Sequence, residues 1–494
     1  MPREKLFHLI HSLSPIEKKF FKQYAHRHIF ETETIYLQLF DAITKQSTYD
    51  EEKLKKQLQP ASFNKNFHKA KGYLYSQILK SLVIRKSKTS SFSHALELLS
   101  TVEILCEKQL FFNAQEQLEQ VKIICEENEF QELALTAIRW EEAIAASSQL
   151  MNPGTDIMLA DNYSKRKELL GEISLTVEYR YLFFQWSLIN APFTPQAPDA
   201  DKKLAILFNN QLLKPENFPA AKAPRRFYLG LNAMKARLKG EHDRALELTT
   251  QIVQIMESYP RDFYYTEVLV IYTYYSIVMD AVAAVKFSIA ERYLAKLKQL
   301  QPQSPQIRYN HFHLMLATEL TVFKAMNQRT ECLAAIDAYE KSLRYYKSGI
   351  SRIHEFKNYL LIMNWLVKEK KFEKAITFIN MMLDEKVTEK RILPFQYHAR
   401  LLTMLVHFEL KNLSFLEHLV RQTGYYFSRY PLNLSFPTIL LQFFRNTLKP
   451  KVVLKNELEL LEKKLAAVKD QPQEKNAFNS FLECGWLQNM GIFK

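Results

Sequence analysis

Glycine is rare in this chain, with 9 copies in 494 residues, about a quarter of ordinary usage. Tight hairpins and phosphate-binding loops need glycine, whereas helices avoid it because it costs about 1 kcal/mol against alanine in a helix interior. Hydrophobic residues make up 47% and charged residues 24% of the chain, as in ordinary globular proteins. The sequence therefore predicts a folded, all-α protein.

A two-residue mark, an aromatic followed three positions later by alanine, recurs along the chain. It is clear at Phe111/Ala114, Phe287/Ala290 and Phe372/Ala375. Weaker versions occur at His242/Ala245, Cys332/Ala335, Ile157/Ala160, Lys202/Ala205 and Leu413/Leu416. The first members are separated by 40 to 46 residues, and Phe67/Ala70 stands 44 residues before Phe111, in phase with the rest. This spacing predicts repeated helix hairpins, with the small residue where two helices cross.

These marks resemble those of the tetratricopeptide repeat family. The resemblance is best from about Phe227 to Pro431, where LKGEHDRALEL (238–248) and VKEKKFEKAITFI (367–379) read like the turn and second helix of a repeat. Pro302 follows Ala290 by twelve residues, the distance at which the family closes a unit. The step is longer than the family's, and its first-helix tryptophan and glycine are absent. The resemblance implies a right-handed superhelical α-solenoid of antiparallel helix hairpins.

In such a solenoid the first helix of each hairpin lines a concave groove that binds extended peptides. A groove rich in lysine and asparagine suits a carboxylate or an acidic segment, and an ordinary mixed surface is the alternative. Leu360 stands where a carboxylate clamp of the family would have lysine. The groove residues that the resemblance implies are Phe227, Met234, Arg237, Tyr272, Tyr275, Met279, Lys324, Asn327, Lys357, Asn364 and Lys368.

Basic residues are concentrated near the N-terminus. Residues 1–90 hold 17 Lys and Arg against 8 Asp and Glu, and no acidic residue occurs between Lys53 and Leu96. Clustered cations contact phosphates, but aromatic residues in phase with the repeats also fit a packed helix with a solvated basic face. The candidate polyanion contacts are Lys65, Lys69, Lys71, Lys80, Arg85, Lys86 and Lys88.

Five regions are predicted along the chain. Residues 1–90 form a basic helical region with short helices at 3–11, 14–27, 33–45 and 50–58, the second opened by a Ser14/Glu17 capping box. Divergent helical repeats follow at 91–190. A proline-rich hinge with one short helix occupies 191–224, because proline ends helices. Repeats occupy 225–431, and 432–494 form capping helices whose last segment docks back onto the array.

Motifs for catalysis, cofactors and metals are missing from the sequence. It contains no GxG, HExxH or GxSxG, and no histidine has an acidic residue three positions before it. The four cysteines form no CxxC pair, which favours buried thiols in a reducing compartment. We therefore expect no catalytic residues, cofactor or metal, and an enzyme only if its site arises from residues distant in sequence.

The function predicted from these patterns is a scaffold or adaptor that holds a protein or peptide partner in the groove. A regulator whose basic N-terminal region contacts nucleic acid, while the solenoid senses a partner, is the alternative and is not favoured. The N-terminus lacks an apolar stretch of secretory length, which predicts a cytoplasmic protein. The apolar stretch 268–285 includes Asp280 and is predicted as a buried repeat helix instead of a membrane span.

Overall fold

Helices succeed one another along the chain in the computed structural model, which describes residues 4–28, 34–58, 67–147, 155–189, 200–258, 266–302, 304–346, 353–384 and 392–493. No strand occurs within these ranges, so the all-α prediction is confirmed for them. The first nine helices are α1 (Lys5–Ser12), α2 (Pro15–His28), α3 (Thr34–Lys45), α4 (Glu51–Gln57), α5 (Phe67–Ser87), α6 (Ser91–Glu107), α7 (Phe111–Asn128), α8 (Gln131–Ser147) and α9 (Thr155–Ile189).

The second half of the chain continues in the same way. After α10 (Ala200–Phe208) and two 3₁₀ turns come α11 (Lys222–Leu238), α12 (His242–Glu257), α13 (Thr266–Ala283), α14 (Phe287–Gln299), α15 (Pro305–Ala325), α16 (Arg329–Leu343), α17 (Ile353–Lys368), α18 (Phe372–Leu383), α19 (Leu393–Glu409) and α20 (Leu413–Arg429). The last four helices are α21 (Phe436–Thr447), α22 (Leu454–Ala466), α23 (Pro472–Leu482) and α24 (Trp486–Asn489).

The chain divides into two units. The first contains residues 1–180 and 218–311, and the second contains 181–217 and 312–494, so the division falls inside α9 and α15. In the first unit, α1 to α5 share one apolar core, and α6 to α8 share another. The capping box that opens α2 is present, since the Ser14 amide donates to Glu17 over 2.8 Å and the Glu17 amide donates back to Ser14 Oγ.

The second unit has one continuous core that reaches from α15 to the C-terminus. Helix α19 packs against both α17 and α21, which are the first helices of the neighbouring pairs. Helix α22 packs on α21 through Leu461 and Leu465, which are fully buried. The helices therefore pack in sequence order, as a helical repeat requires.

One turn geometry occurs seven times within the described ranges, and its central residue ends one helix and caps the next. The amide of this residue donates to the carbonyl five positions earlier over 2.8–3.0 Å, and its carbonyl accepts from the amide four positions later over 2.9–3.2 Å. The preceding residue has φ between 53° and 74°. These are Schellman-type turns. The shared residues are Leu110, Phe130, Glu241, Lys286, Gln328, Lys371 and Asn412.

The turns fix the register of the repeats. Helices begin at Phe111, His242, Phe287, Phe372 and Leu413, as predicted. The alanine or leucine three positions later is fully buried in each of these helices.

Three of the predicted marks were wrong. The helix marked by Cys332/Ala335 begins at Arg329, so Cys332 is the buried crossing residue and Ala335 lies one turn further on. Ile157/Ala160 lies near the start of the single 35-residue helix α9, and both side chains are exposed. Lys202/Ala205 is an exposed pair in the short helix α10. Neither of these two pairs marks a crossing of packed helices.

The remaining fold expectations have mixed outcomes. One short α-helix does occur within 191–224, but 190–199 lie outside the described residues, so the hinge stays a prediction. The C-terminal segment docks back as predicted, with Phe478, Phe481 and Trp486 buried. Cys125, Cys332 and Cys484 are buried thiols, whereas Cys106 is partly exposed.

Glycine scarcity has a cost at these turns, because six of the seven left-handed residues are not glycine. Val285 is the most strained, since a β-branched residue at φ 58° is unfavourable, and it is 68% exposed. We expect Val285→Gly to raise the free energy of unfolding by about 1 kcal/mol, measured by chemical denaturation. Gly240→Ala is the matched reversal and should lower the stability, because φ is 74° at Gly240 while a Cβ there would meet open space and cause no clash. A lower stability for Val285→Gly would contradict this account.

The register can be tested at two alanines of neighbouring repeats. Ala375 is fully buried at a helix crossing, so we expect Ala375→Leu to cost about 1–3 kcal/mol through overpacking. Ala335 is only partly buried, one turn beyond its own crossing, and Ala335→Leu is expected to cost clearly less. Equal melting temperatures for the two variants would show that the register is misassigned.

Candidate anion-binding site

Several predicted groove residues have structural partners instead of facing solvent. In the first unit, Arg237 on α11 donates to both carboxylate oxygens of Asp280 on α13, over 2.6 and 2.7 Å, and to Thr249 on α12 over 3.2 Å. Thr249 also donates to Asp280 over 2.6 Å. Asp280 is 3% exposed. The Arg237 charge is therefore compensated, and this network joins three successive helices.

Asn364 of the second unit was predicted to line the groove, but it is a core residue. It is 1% exposed on α17, its Nδ2 donates to the Ser480 carbonyl over 2.8 Å, and its Oδ1 lies 2.7 Å from His398 Nε2. Burial lowers the pKa of His398 to about 3, so the ring is neutral. The Phe481 ring packs on that of His398 at 5.5 Å. The C-terminal segment thus covers the part of α17 where the groove was expected.

The other residues predicted to line the groove differ in position and in solvent exposure. Asn327, with φ 55°, is the left-handed residue of the turn before α16, so it does not belong to a first-helix face and that prediction was wrong. Lys368 is exposed beside Gly485. Tyr272 is 44% exposed. The half-buried members are Phe227, Met234, Tyr275, Met279, Lys324 and Lys357.

The basic N-terminal stretch is only partly available to a partner. Lys71 is 5% exposed, with its Nζ 2.6 Å from Glu51 Oε2 and 3.2 Å from the Tyr49 hydroxyl. This burial removes Lys71 from the predicted polyanion contacts. Arg85 lies 3.9 Å from Glu17. Lys69, Lys80, Lys86 and Lys88 are exposed, and Lys65 lies outside the described residues.

A pocket that the sequence analysis missed lies between α19 and α20 in the second unit. It is open to solvent and has a volume of about 590 Å³. Helix α20 contributes residues that follow one another along one face at three- and four-residue spacings. The lining residues are Arg400, His418, Arg421, Gln422, Tyr425 and Tyr426.

Arg400 is the most constrained of these side chains. Its guanidinium carbon lies 3.9 Å from the centre of the Tyr426 ring, and the Tyr426 hydroxyl donates to Gln396 Oε1 one turn before Arg400. Burial lowers the pKa of Arg400, although the neighbouring Tyr426 opposes the shift. The Arg400 Nε is buried without a hydrogen-bond partner. Packing therefore holds this cation in place, and no carboxylate among the described residues pairs with it.

The rest of the pocket is cationic, aromatic and exposed. Arg421, Gln422 and His418 are exposed, and Tyr425 is 68% exposed. No salt bridge joins Arg400 or Arg421 to a carboxylate among the described residues. Two guanidinium groups, an imidazole and an amide facing one cavity can accept an anion such as a carboxylate. One feature of the sequence could have indicated this site, since Arg400 is the only Lys or Arg between Leu393 and Lys411. The structure shows that this stretch is mostly buried.

Comparisons of the chain with protein-family models, curated proteins and solved structures give no match. Within the described ranges, no group of three or more His, Cys, Asp or Glu side chains is placed to hold a metal ion. None of the helices described is both long and apolar enough to span a membrane, and 268–285 largely coincides with α13, whose Asp280 is buried.

The ion pair of Lys71 and Glu51 should make the stability of the protein depend on pH. Burial raises the pKa of Glu51, but hydrogen bonds from Lys71, Tyr49 and Lys55 outweigh it and lower the pKa from 4.5 to about 2. A carboxyl group whose pKa is lowered by folding stabilises the fold above its unfolded pKa, and that contribution disappears as pH falls through the folded pKa.

We expect Glu51→Gln to destabilise α1 to α5 by about 2 kcal/mol at neutral pH, because it leaves Lys71 buried and uncompensated. The difference from the unmodified protein should vanish as pH falls from 4.5 towards 2. The control is Glu52→Gln, whose carboxylate is 78% exposed. Denaturant unfolding as a function of pH measures both, and a pH-independent deficit for Glu51→Gln would contradict the assignment.

Proposed function

We propose that this protein is a non-enzymatic scaffold or adaptor that binds an acidic segment of a partner protein in the pocket between α19 and α20. The observation that carries the proposal is the charge of Arg400. This guanidinium is half-buried against Tyr426 and has no carboxylate partner among the described residues. A cation that has lost part of its hydration is stabilised when an anion binds beside it.

The neighbouring side chains suit a peptide better than a small ion. Arg421 supplies a second guanidinium at the exposed side, so two carboxylates of one acidic segment can be bound together. Tyr425 presents a large exposed aromatic surface, and Tyr and Arg are the residues that most often dominate the energy of protein interfaces. The pocket is open, which suits a chain lying across it. The proposed binding surface therefore lies on α19 and α20, and differs from the groove implied by the resemblance.

We also propose that the helix pairs within each unit, α11 to α14 in the first and α17 to α20 in the second, pack as tetratricopeptide-like repeats of right-handed superhelical type. Support comes from the repeated Schellman-type turns, the buried small residues at the crossings, and the packing of first helix on first helix in the second unit. The steps between second helices are 45, 42, 43 and 41 residues. A cytoplasmic location is proposed with it, supported by cysteines that remain thiols.

A nucleic-acid regulator has less support from the basic region. Stacking on bases needs exposed aromatic rings, but Phe67 is 2% exposed, and Tyr73 packs against Tyr36 with ring centres 4.8 Å apart. Packing therefore accounts for these aromatic residues.

The proposal is tested with a fluorescent oligoglutamate peptide, and an oligoglutamine peptide of equal length as the uncharged reference. We expect only the acidic peptide to bind, with affinity that falls as salt rises. Arg421→Gln should weaken binding about tenfold, the effect of losing one charge-assisted hydrogen bond. Fluorescence anisotropy measures the dissociation constants.

The matched control is Arg429→Gln, which removes the same charge from α20. Arg429 is exposed and lies over the Tyr430 ring, outside the pocket. The Arg429→Gln variant should bind the peptide with the same affinity as the unmodified protein. Equal losses for Arg421→Gln and Arg429→Gln would mean that overall charge, and not this pocket, attracts the peptide.

A further inference from the structure

The outward face of α5 is both cationic and apolar. At about 100° per residue, Lys69, Leu79, Lys80, Val83 and Lys86 fall within a sector of about 120°. All five are exposed, with Val83 at 67% and Leu79 at 38%. The opposite face of the helix is buried in the core of α1 to α5. This outward face, defined by the five residues named, is distinct from the pocket between α19 and α20.

No carboxylate in the described part of the chain pairs with the lysines of this face. The sequence has no acidic residue between Lys53 and Leu96. Of the acidic residues near α5, Glu51 binds Lys71 and Glu17 faces Arg85. Lys69, Lys80 and Lys86 form no ion pair among the described residues, and neither does the nearby Lys88. The positive charge of the face is therefore available to attract an anionic partner from solution.

The apolar members decide what kind of anionic partner fits. Phosphates of a nucleic acid attract lysine but offer Val83 and Leu79 no apolar environment. A lipid surface offers both, because apolar side chains enter the boundary of the acyl region while lysines extend to anionic headgroups. Aromatic rings that would stack on bases are packed elsewhere, as Phe67 and Tyr73 show. Charge and apolar exposure together favour lipid.

We propose that the outward face of α5 docks the protein reversibly on a membrane surface that carries anionic lipid headgroups. The three lysines of the face, Lys69, Lys80 and Lys86, supply the attraction to such a surface, each contributing about a fivefold gain in affinity. Val83 and Leu79 add contact with the acyl boundary. One helix face with two apolar residues gives weak association that salt reverses.

The test is sedimentation of the full chain with vesicles of phosphatidylcholine alone, or of phosphatidylcholine and phosphatidylserine in equal parts. We expect binding only to the vesicles that contain phosphatidylserine. Lys80→Gln/Lys86→Gln should weaken it roughly 25-fold, about fivefold for each lysine. Val83→Ser should weaken vesicle binding and leave any binding to duplex DNA unchanged.

The matched control is Lys455→Gln/Lys463→Gln, which removes two exposed lysines from α22. It should bind vesicles like the unmodified chain, and equal losses in the two double variants would overturn the proposal. A second result would also overturn the proposal in favour of a nucleic-acid contact. In that result the chain binds duplex DNA, and Val83→Ser binds vesicles and DNA as well as the unmodified chain does. All the substituted side chains are exposed, and thermal unfolding followed by circular dichroism verifies that each variant is folded.

Discussion

Most of the fold depends on one backbone arrangement, in which a single residue both terminates a helix and caps the next. This residue satisfies an orphan carbonyl of the first helix and supplies the first acceptor of the second. Because the same atoms do both, the exit and entry directions are coupled, and the two helices must cross close to the turn. A side chain four positions on then lies at the crossing, which explains why Ala114, Ala245, Ala290 and Ala375 are fully buried.

This coupling also explains what could be read from the sequence. The aromatic and alanine pairs that begin at Phe111, Phe287 and Phe372 marked the starts of second helices correctly, and each follows such a turn. The turn at Gln328 precedes a helix whose mark was misplaced by three residues. Glycine scarcity did not reveal the turns, because their left-handed position is occupied by residues such as Val285, Lys370 and Lys411. The pairs in α9 and α10 looked similar but failed, since alanine is common and both side chains of each pair are exposed. Spacing alone cannot distinguish a crossing from an exposed helix surface.

The site residues were harder to predict for a reason of charge. Arg237 and Arg400 both lie on helices of the repeats, and the sequence treats them alike. Arg237 pairs with Asp280, 43 residues away, in a network that joins three helices, whereas Arg400 packs on the Tyr426 ring, lines a cavity and has no carboxylate partner among the described residues. Whether an arginine holds the fold together or remains available to a ligand depends on contacts distant in sequence. The same distinction separates Lys71, paired with Glu51, from the exposed Lys69 only two residues before it.

The C-terminal segment covers part of the helix surface of the second unit. Asn364 holds the Ser480 carbonyl, Trp486 Nε1 donates to Glu409 over 2.8 Å, and the Trp486 ring packs among Phe443 and Phe444. These contacts fill the α17 and α19 faces with the chain's own apolar residues. A partner that displaced them would expose a large apolar surface, which is unfavourable. The pocket beside Arg400 is already open and lined by two arginines, so the binding that we propose there would need no such displacement and would leave the core of the unit intact.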